Sequence, residues 1–112
     1  MGTGRIGARF ARFARAFDLK IIGVRRDASQ QAENIDRMVA TRDLVSVLPD
    51  ADIVVLACPL NAETENLIDA KALAAMKPTA QLINVARGKV VDEDALIAAL
   101  RDKRIASAGL DV

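Results

Sequence analysis

Histidine is absent from these 112 residues. Imidazole acid-base chemistry and histidine-ligated metal sites are therefore excluded within them. The single cysteine, Cys58, cannot form an internal disulfide, which suits a reducing, cytoplasmic compartment. No apolar run approaches the roughly 18 residues of a membrane span, and the N-terminus lacks the charged head and apolar middle of a signal peptide. Strong charge of either sign is missing too. Sixteen basic residues face fifteen acidic ones, net +1, so no bulk field draws the chain to nucleic acid or an anionic membrane, and any anion site has to be local. What is plentiful is apolar surface: 52% of the residues are hydrophobic, enough for the packed core of one small domain.

Short β-branched runs alternate with helical patterns. The stretches 19–24 (LKIIGV), 51–58 (ADIVVLAC), 80–86 (AQLINVA) and 105–112 (IASAGLDV) read as buried strands. Phe10, Phe13, Ala14 and Phe17 recur at helical steps, which places the aromatics on one face and Arg9, Arg12 and Arg15 elsewhere. Asp92 offers an N-cap for a second helix over about 93–102, with Leu96, Ile97 and Leu100 as its apolar stripe. Weaker helical patterns cover 42–49 and 64–77 and stop at Pro49 and Pro78. Strands alternating with helices predict an α/β fold, a doubly wound, Rossmann-like parallel sheet whose ligands sit at the carboxyl ends of the strands.

The segment GTGRIG (2–7) has the spacing of a dinucleotide-binding loop. Gly2 permits a tight turn, Gly4 lets a pyrophosphate approach the backbone, and Gly7 lets the following helix pack closely, with Arg5 and Ile6 in its first turn. An ordinary glycine-rich turn has the same letters. The context favours the loop, because a strand follows the helix and Arg25 lies eighteen residues beyond Gly7, near where a βαβ unit places its ribose-reading residue. A first strand is expected in front of Gly2, where only Met1 stands, so residues 1–112 read as an incomplete domain.

The ordered segments ACPLNAETENLI (57–68), MKPTAQLINVARG (76–88) and VDEDALIAALRDKRIASAGLDV (91–112), after the glycine loop, resemble the nucleotide-binding domain of the D-isomer-specific 2-hydroxyacid dehydrogenases. The resemblance covers nearly the whole chain. Thr79 and Lys103 depart from it, each standing where members commonly carry glycine.

The resemblance implies NAD(P)-dependent hydride transfer between nicotinamide and a D-2-hydroxy acid or 2-oxo acid. Arg87 would bind the substrate carboxylate, which suits a forked, permanently charged guanidinium. Val85 and Ala86 would touch the cofactor, Asp111 would accept from the nicotinamide amide, and Cys58, Pro59 and Thr64 would line the cofactor cleft. Cys58 as a small buried apolar residue and Asp111 as a turn residue are the plainer alternatives. The histidine and glutamate that complete the family's chemistry, and its substrate domain, would lie beyond Val112, so these residues alone are expected not to transfer hydride. The complete protein would be a homodimer acting on a small molecule. A dinucleotide-sensing, co-repressor-like protein of the same family is the other reading, which Arg87 does not separate from an enzyme.

Arg25 stands where NAD-preferring relatives present an aspartate to the ribose. It cannot accept from ribose hydroxyls but can meet the 2′-phosphate of NADP(H), with Arg26 as a second cation and Ser29 as a donor. NADP(H) is therefore the favoured cofactor, with NAD(H) possible. In the alternative, both arginines are solvated and Asp27 reads the ribose.

Overall fold

The computed structural model describes residues 1–112 and resolves the apolar runs into five four-residue strands, all paired in parallel. Strand β1 (Ile22–Arg25) pairs with β2 (Arg37–Ala40), Ile22 opposite Arg37. A second sheet runs β3 (Ile53–Leu56), β4 (Gln81–Asn84), β5 (Ser107–Leu110), with Ile53 opposite Gln81 and Gln81 opposite Ser107. The connections carry helices α1 (Arg5–Ala16), α2 (Leu44–Val47), α3 (Ala70–Ala75) and α4 (Glu93–Arg101). Parallel pairing needs such crossovers, since a two-residue turn cannot bring a strand back in the same direction.

Two residues join the sheets. The Gly2 N–H donates to the Val24 carbonyl (3.0 Å), the Met1 amine donates to the Val55 carbonyl (2.8 Å), and the Met1 carbonyl accepts from the Ala57 N–H (2.8 Å). Met1–Gly2 thus lies between β1 and β3, the central position of a doubly wound sheet. It brings the carboxyl end of β1 alongside that of β3. On the amino-terminal side of Met1 the two strands face each other across a cavity of about 570 Å³ lined by Ile22, Gly23, Ile53, Val55, Ala11 and Ala14 among others.

The core is one cluster. Val54 and Leu56 of β3 and Leu82 of β4 pack against Ala72 and Leu73 of α3 and Leu96 and Ala99 of α4, with Ile68, Val90 and Ile105 closing it from the loops. Asp69 and Asp92 cap α3 and α4, their carboxylates accepting from the N–H groups of Ala72 (2.9 Å) and Ala95 (3.2 Å). Each such cap is worth about 1 kcal/mol.

Several local expectations need correction. The strand β2 has no counterpart among the predicted runs, and β1 begins three residues later than expected. Over 42–49 only one α-helical turn forms, and Pro49 sits inside the 3-10 turn Leu48–Asp50 that follows it. Within 64–77 the helix is confined to Ala70–Ala75. In α1 the small residues Ala11 and Ala14 are buried, whereas Phe10, Phe13 and Phe17 are 42%, 54% and 79% exposed. Ala11 and Ala14 face the cavity between β1 and β3, and Phe13 and Phe17 are left on the flank.

Candidate functional site

The site forms where the carboxyl ends of the strands meet the start of α1. Gly2 has φ +81°, a left-handed conformation that other residues adopt only at a cost, and a Cβ there would fall 2.6 Å from the Ala57 carbonyl oxygen. A Cβ on Gly7 would fall 1.9 Å from the Gly2 carbonyl oxygen. Nothing lies within 4 Å of a Cβ placed on Gly4, which is the N-cap of α1 and offers no side-chain cap. The loop therefore presents uncapped helical N–H groups beneath open space, the arrangement that holds a phosphate.

Beside it a cleft of about 430 Å³ is lined by Ile6, Ala57, Cys58, Pro59, Leu60, Val85, Ala86 and Arg87. It is smaller than the cavity between β1 and β3. Yet it gathers the start of α1, the loop after β3 and the turn after β4, whereas the larger cavity, lined by the glycine loop, α1 and the segments flanking β1 and β3, includes no residue of the turn after β4. The predicted residues Ile6, Cys58, Pro59, Val85, Ala86 and Arg87 are thus brought together. Burial pushes the Cys58 thiol up from its ordinary value, so it stays protonated and lines the wall.

Arg87 is exposed and extends from a turn that is fastened from below. Asn84, fully buried, donates through its side-chain amide to the Arg87 carbonyl (2.9 Å) and accepts from the Ala86 N–H (2.9 Å). The Asn84 side chain leaves no polar atom unpaired, so the turn has one arrangement. The guanidinium itself donates to the Ala86 carbonyl (2.7 Å). The motif MKPTAQLINVARG gives Asn84 no role of its own; its signal is a polar amide inside the apolar run LINVA, three positions before Arg87. Asp111 follows β5 and donates its N–H to the Asn84 carbonyl (3.0 Å), which places it next to that turn.

Thr64 departs from its expected place on the cleft wall. It is buried behind the loop, its hydroxyl donating to the Pro59 carbonyl (2.6 Å) and accepting from the Asn61 N–H (2.8 Å). It fixes the loop that carries Pro59 instead of facing the cleft.

Arg25 ends β1, one residue beyond the carbonyl held by Gly2, so both cations stand at the loop's edge. Arg5 lies in the first turn of α1 on the exposed side. The Arg26 Nε donates to the Glu63 carboxylate at 2.9 Å. Ser29 is engaged with Asp27. Its hydroxyl and N–H both point at Asp27 Oδ1 (2.6 and 2.9 Å), and these bonds, with a smaller contribution from Arg25, hold the Asp27 carboxyl below the usual range.

The fold has counterparts in known proteins. The family described as D-isomer specific 2-hydroxyacid dehydrogenase, NAD binding domain, matches residues 1–112. Glyoxylate reductase of Pyrococcus furiosus is 48% identical over 112 residues, all of this chain and 33% of that protein. The NADPH-dependent glyoxylate/hydroxypyruvate reductase of Sinorhizobium meliloti, solved with NADP and malonate, superposes with TM-score 0.87 at 38% identity over 100% of this chain and 34% of its own. A D-isomer specific 2-hydroxyacid dehydrogenase of Lactobacillus delbrueckii ssp. bulgaricus in its NAD-complexed form gives TM-score 0.85 at 45% identity, over 98% and 33%. The chain spans about a third of the length of these relatives. The chain belongs to the D-isomer specific 2-hydroxyacid dehydrogenases and matches their NAD-binding domain.

Proposed function

We propose that residues 1–112 are the cofactor-binding domain of a longer NAD(P)-dependent oxidoreductase that interconverts a 2-oxo acid and a D-2-hydroxy acid. The observation that carries this reading is the Asn84-braced turn, which sets Arg87 at the mouth of a cleft walled by the start of α1 and the ends of β3 and β4. The bound nicotinamide would supply or accept the hydride.

The chain's own residues have three tasks. The glycine loop and the uncapped start of α1 hold the pyrophosphate by backbone N–H groups. Pro59, Val85 and Ala86 wall the cleft and exclude water from the hydride's path. Arg87 binds the substrate carboxylate through its forked donors, which orients the adjacent C2 carbon toward the cleft. Reduction of a 2-oxo acid consumes one hydride and one proton. The family resemblance implies a histidine as the proton-transfer group, and since none stands among these residues that role is proposed for a part of the protein outside them. The names of the relatives make glyoxylate the first substrate to assay.

The test is Arg87→Lys in the complete protein, which keeps the charge and removes the fork. The expected outcome is a loss in kcat/KM for a 2-oxo acid of about ten-fold or more, roughly 1.4 kcal/mol, with cofactor affinity little changed. A cofactor affinity that fell as far as turnover would remove Arg87 from the carboxylate role.

A further inference from the structure

Arg26 does not face solvent alone. It lies just past β1, its partner Glu63 lies in the loop after β3, and their 2.9 Å contact spans the two sides of the cofactor's edge. The backbone that carries Glu63 is tied down. Asn61 Oδ1 accepts from the N–H groups of Glu63 (2.9 Å) and Thr64 (3.1 Å), and the buried Thr64 hydroxyl fastens the same loop to Pro59. The carboxylate is therefore delivered to Arg26 by an ordered loop.

Arg25 makes no ion pair, but the ionised Asp27 lies two residues on and is held down in small part by the Arg25 charge. Two cations and two carboxylates leave this edge without net charge. A dianionic phosphate arriving there meets the attraction of Arg25 and Arg26 together with the repulsion of Asp27 and Glu63. The Arg26–Glu63 side chains are 75% and 58% exposed, so water and salt weaken the pair and a phosphate can displace it.

We propose that Glu63 is a specificity-determining residue whose carboxylate competes with the cofactor's 2′-phosphate for Arg26 and so restrains the preference for NADP(H) over NAD(H). This rests on the reading of Arg25 and Arg26 as the phosphate-binding pair. Glu63 has no part in holding the pyrophosphate or the substrate, so its removal acts on the 2′-position alone.

The experiment is a double-mutant cycle in the complete protein. Dissociation constants for NADPH, NADH, 2′,5′-ADP and 5′-AMP are measured at low salt for the unmodified protein, Glu63→Gln, Arg26→Ala and the double variant. Glu63→Gln should tighten NADPH and 2′,5′-ADP by about three- to ten-fold and leave NADH and 5′-AMP within about two-fold. The gain should vanish in the Arg26→Ala background. If Glu63→Gln leaves NADPH affinity unchanged or weakens it while Arg26→Ala still loses NADPH selectively, Glu63 is no competitor and the phosphate reading stands. A gain that persists without Arg26 also overturns the competition. If Arg26→Ala and Arg25→Asp both leave the NADPH to NADH ratio unchanged, the phosphate reading falls and this proposal with it.

Discussion

The Gly2 carbonyl oxygen stands 1.9 Å from where a Cβ on Gly7 would sit, so the glycine loop and the first turn of α1 are in backbone contact. Gly4, between them, has open space above it. The two outer glycines are required by the fold, and the middle one, on the proposed function, serves the ligand. Gly7→Ala should therefore displace the loop, lowering both thermal stability and cofactor affinity. Gly4→Ala should leave the melting temperature of the complete protein nearly unchanged, yet weaken NADH and NADPH alike by about ten-fold or more, because the methyl enters the space a pyrophosphate would occupy. Parallel thermal melts and cofactor titrations distinguish the two.

The sequence declared its strands where β-branched residues cluster, and its helices where an acid precedes an apolar stripe, as Asp92 does for α4. It hid β2, because the apolar run Met38–Ala40 is only three residues long between the polar segments on either side, and the strand forms by pairing with β1. It overstated 64–77, since Ile68 is held by the Lys89–Val91 segment through tertiary hydrogen bonds that no local pattern reports. The site was legible where motif letters carry backbone chemistry, as at Gly2 and Gly7. Asn84, Thr64 and Glu63 were less so, because their roles depend on which carbonyl or guanidinium the fold brings within 3 Å.

Lys103 marks a place where the chain accepts strain. Its φ is +55°, in the left-handed region at the end of α4, where its N–H donates to the Leu100 carbonyl (3.2 Å) and that of Arg104 to the Ala99 carbonyl (2.8 Å). Its side chain is exposed and makes no ion pair. Lys103→Gly should stabilise the protein by about 0.5–1 kcal/mol, the relief of the left-handed cost less the greater freedom of an unfolded glycine. Denaturant unfolding at constant m-value measures it.

Asp36 ties three elements at the base of the first sheet. Its carboxylate accepts from the Arg15 guanidinium on α1 and from the Ile21 N–H (2.8 Å) ahead of β1, and it stands just before β2. The Arg15 hydrogen bond first, then the Ile21 bond, hold its carboxyl below the ordinary value. A depressed folded value means that the native state binds the proton more weakly than the unfolded chain does. The contribution is thus present above about pH 4, the unfolded value, and is lost as pH falls through the folded one. Asp36→Asn should be less stable than the unmodified protein at pH 7, and the two should converge in strongly acidic solution. Unfolding midpoints across pH 2–7 would show the convergence, and a constant gap would remove the ionised carboxylate as its cause.

On the proposed reading of Arg25 and Arg26 as the phosphate-binding pair, cofactor choice turns on Arg25. It ends β1, directly after the carbonyl that the glycine loop grips, so a ribose whose pyrophosphate sits on that loop comes within its reach. A guanidinium there can donate to a 2′-phosphate and cannot accept from ribose hydroxyls. Asp27 keeps one carboxylate oxygen without a partner, since both Ser29 bonds go to Oδ1, and that oxygen is the acceptor through which NAD(H) would be read instead. Both contacts are charge-assisted, at about 1.5–3 kcal/mol per bond, but the guanidinium meets the phosphate with charge on both partners and a forked pair of donors, so the phosphate interaction is the larger of the two. NADPH should then bind at least about ten-fold more tightly than NADH at low salt, with the advantage shrinking as salt rises. Arg25→Asp should reverse the order, removing a donor and adding repulsion toward the phosphate. An unchanged NADPH to NADH order in the variant would assign the ribose to Asp27 and remove Arg25 from the phosphate contact.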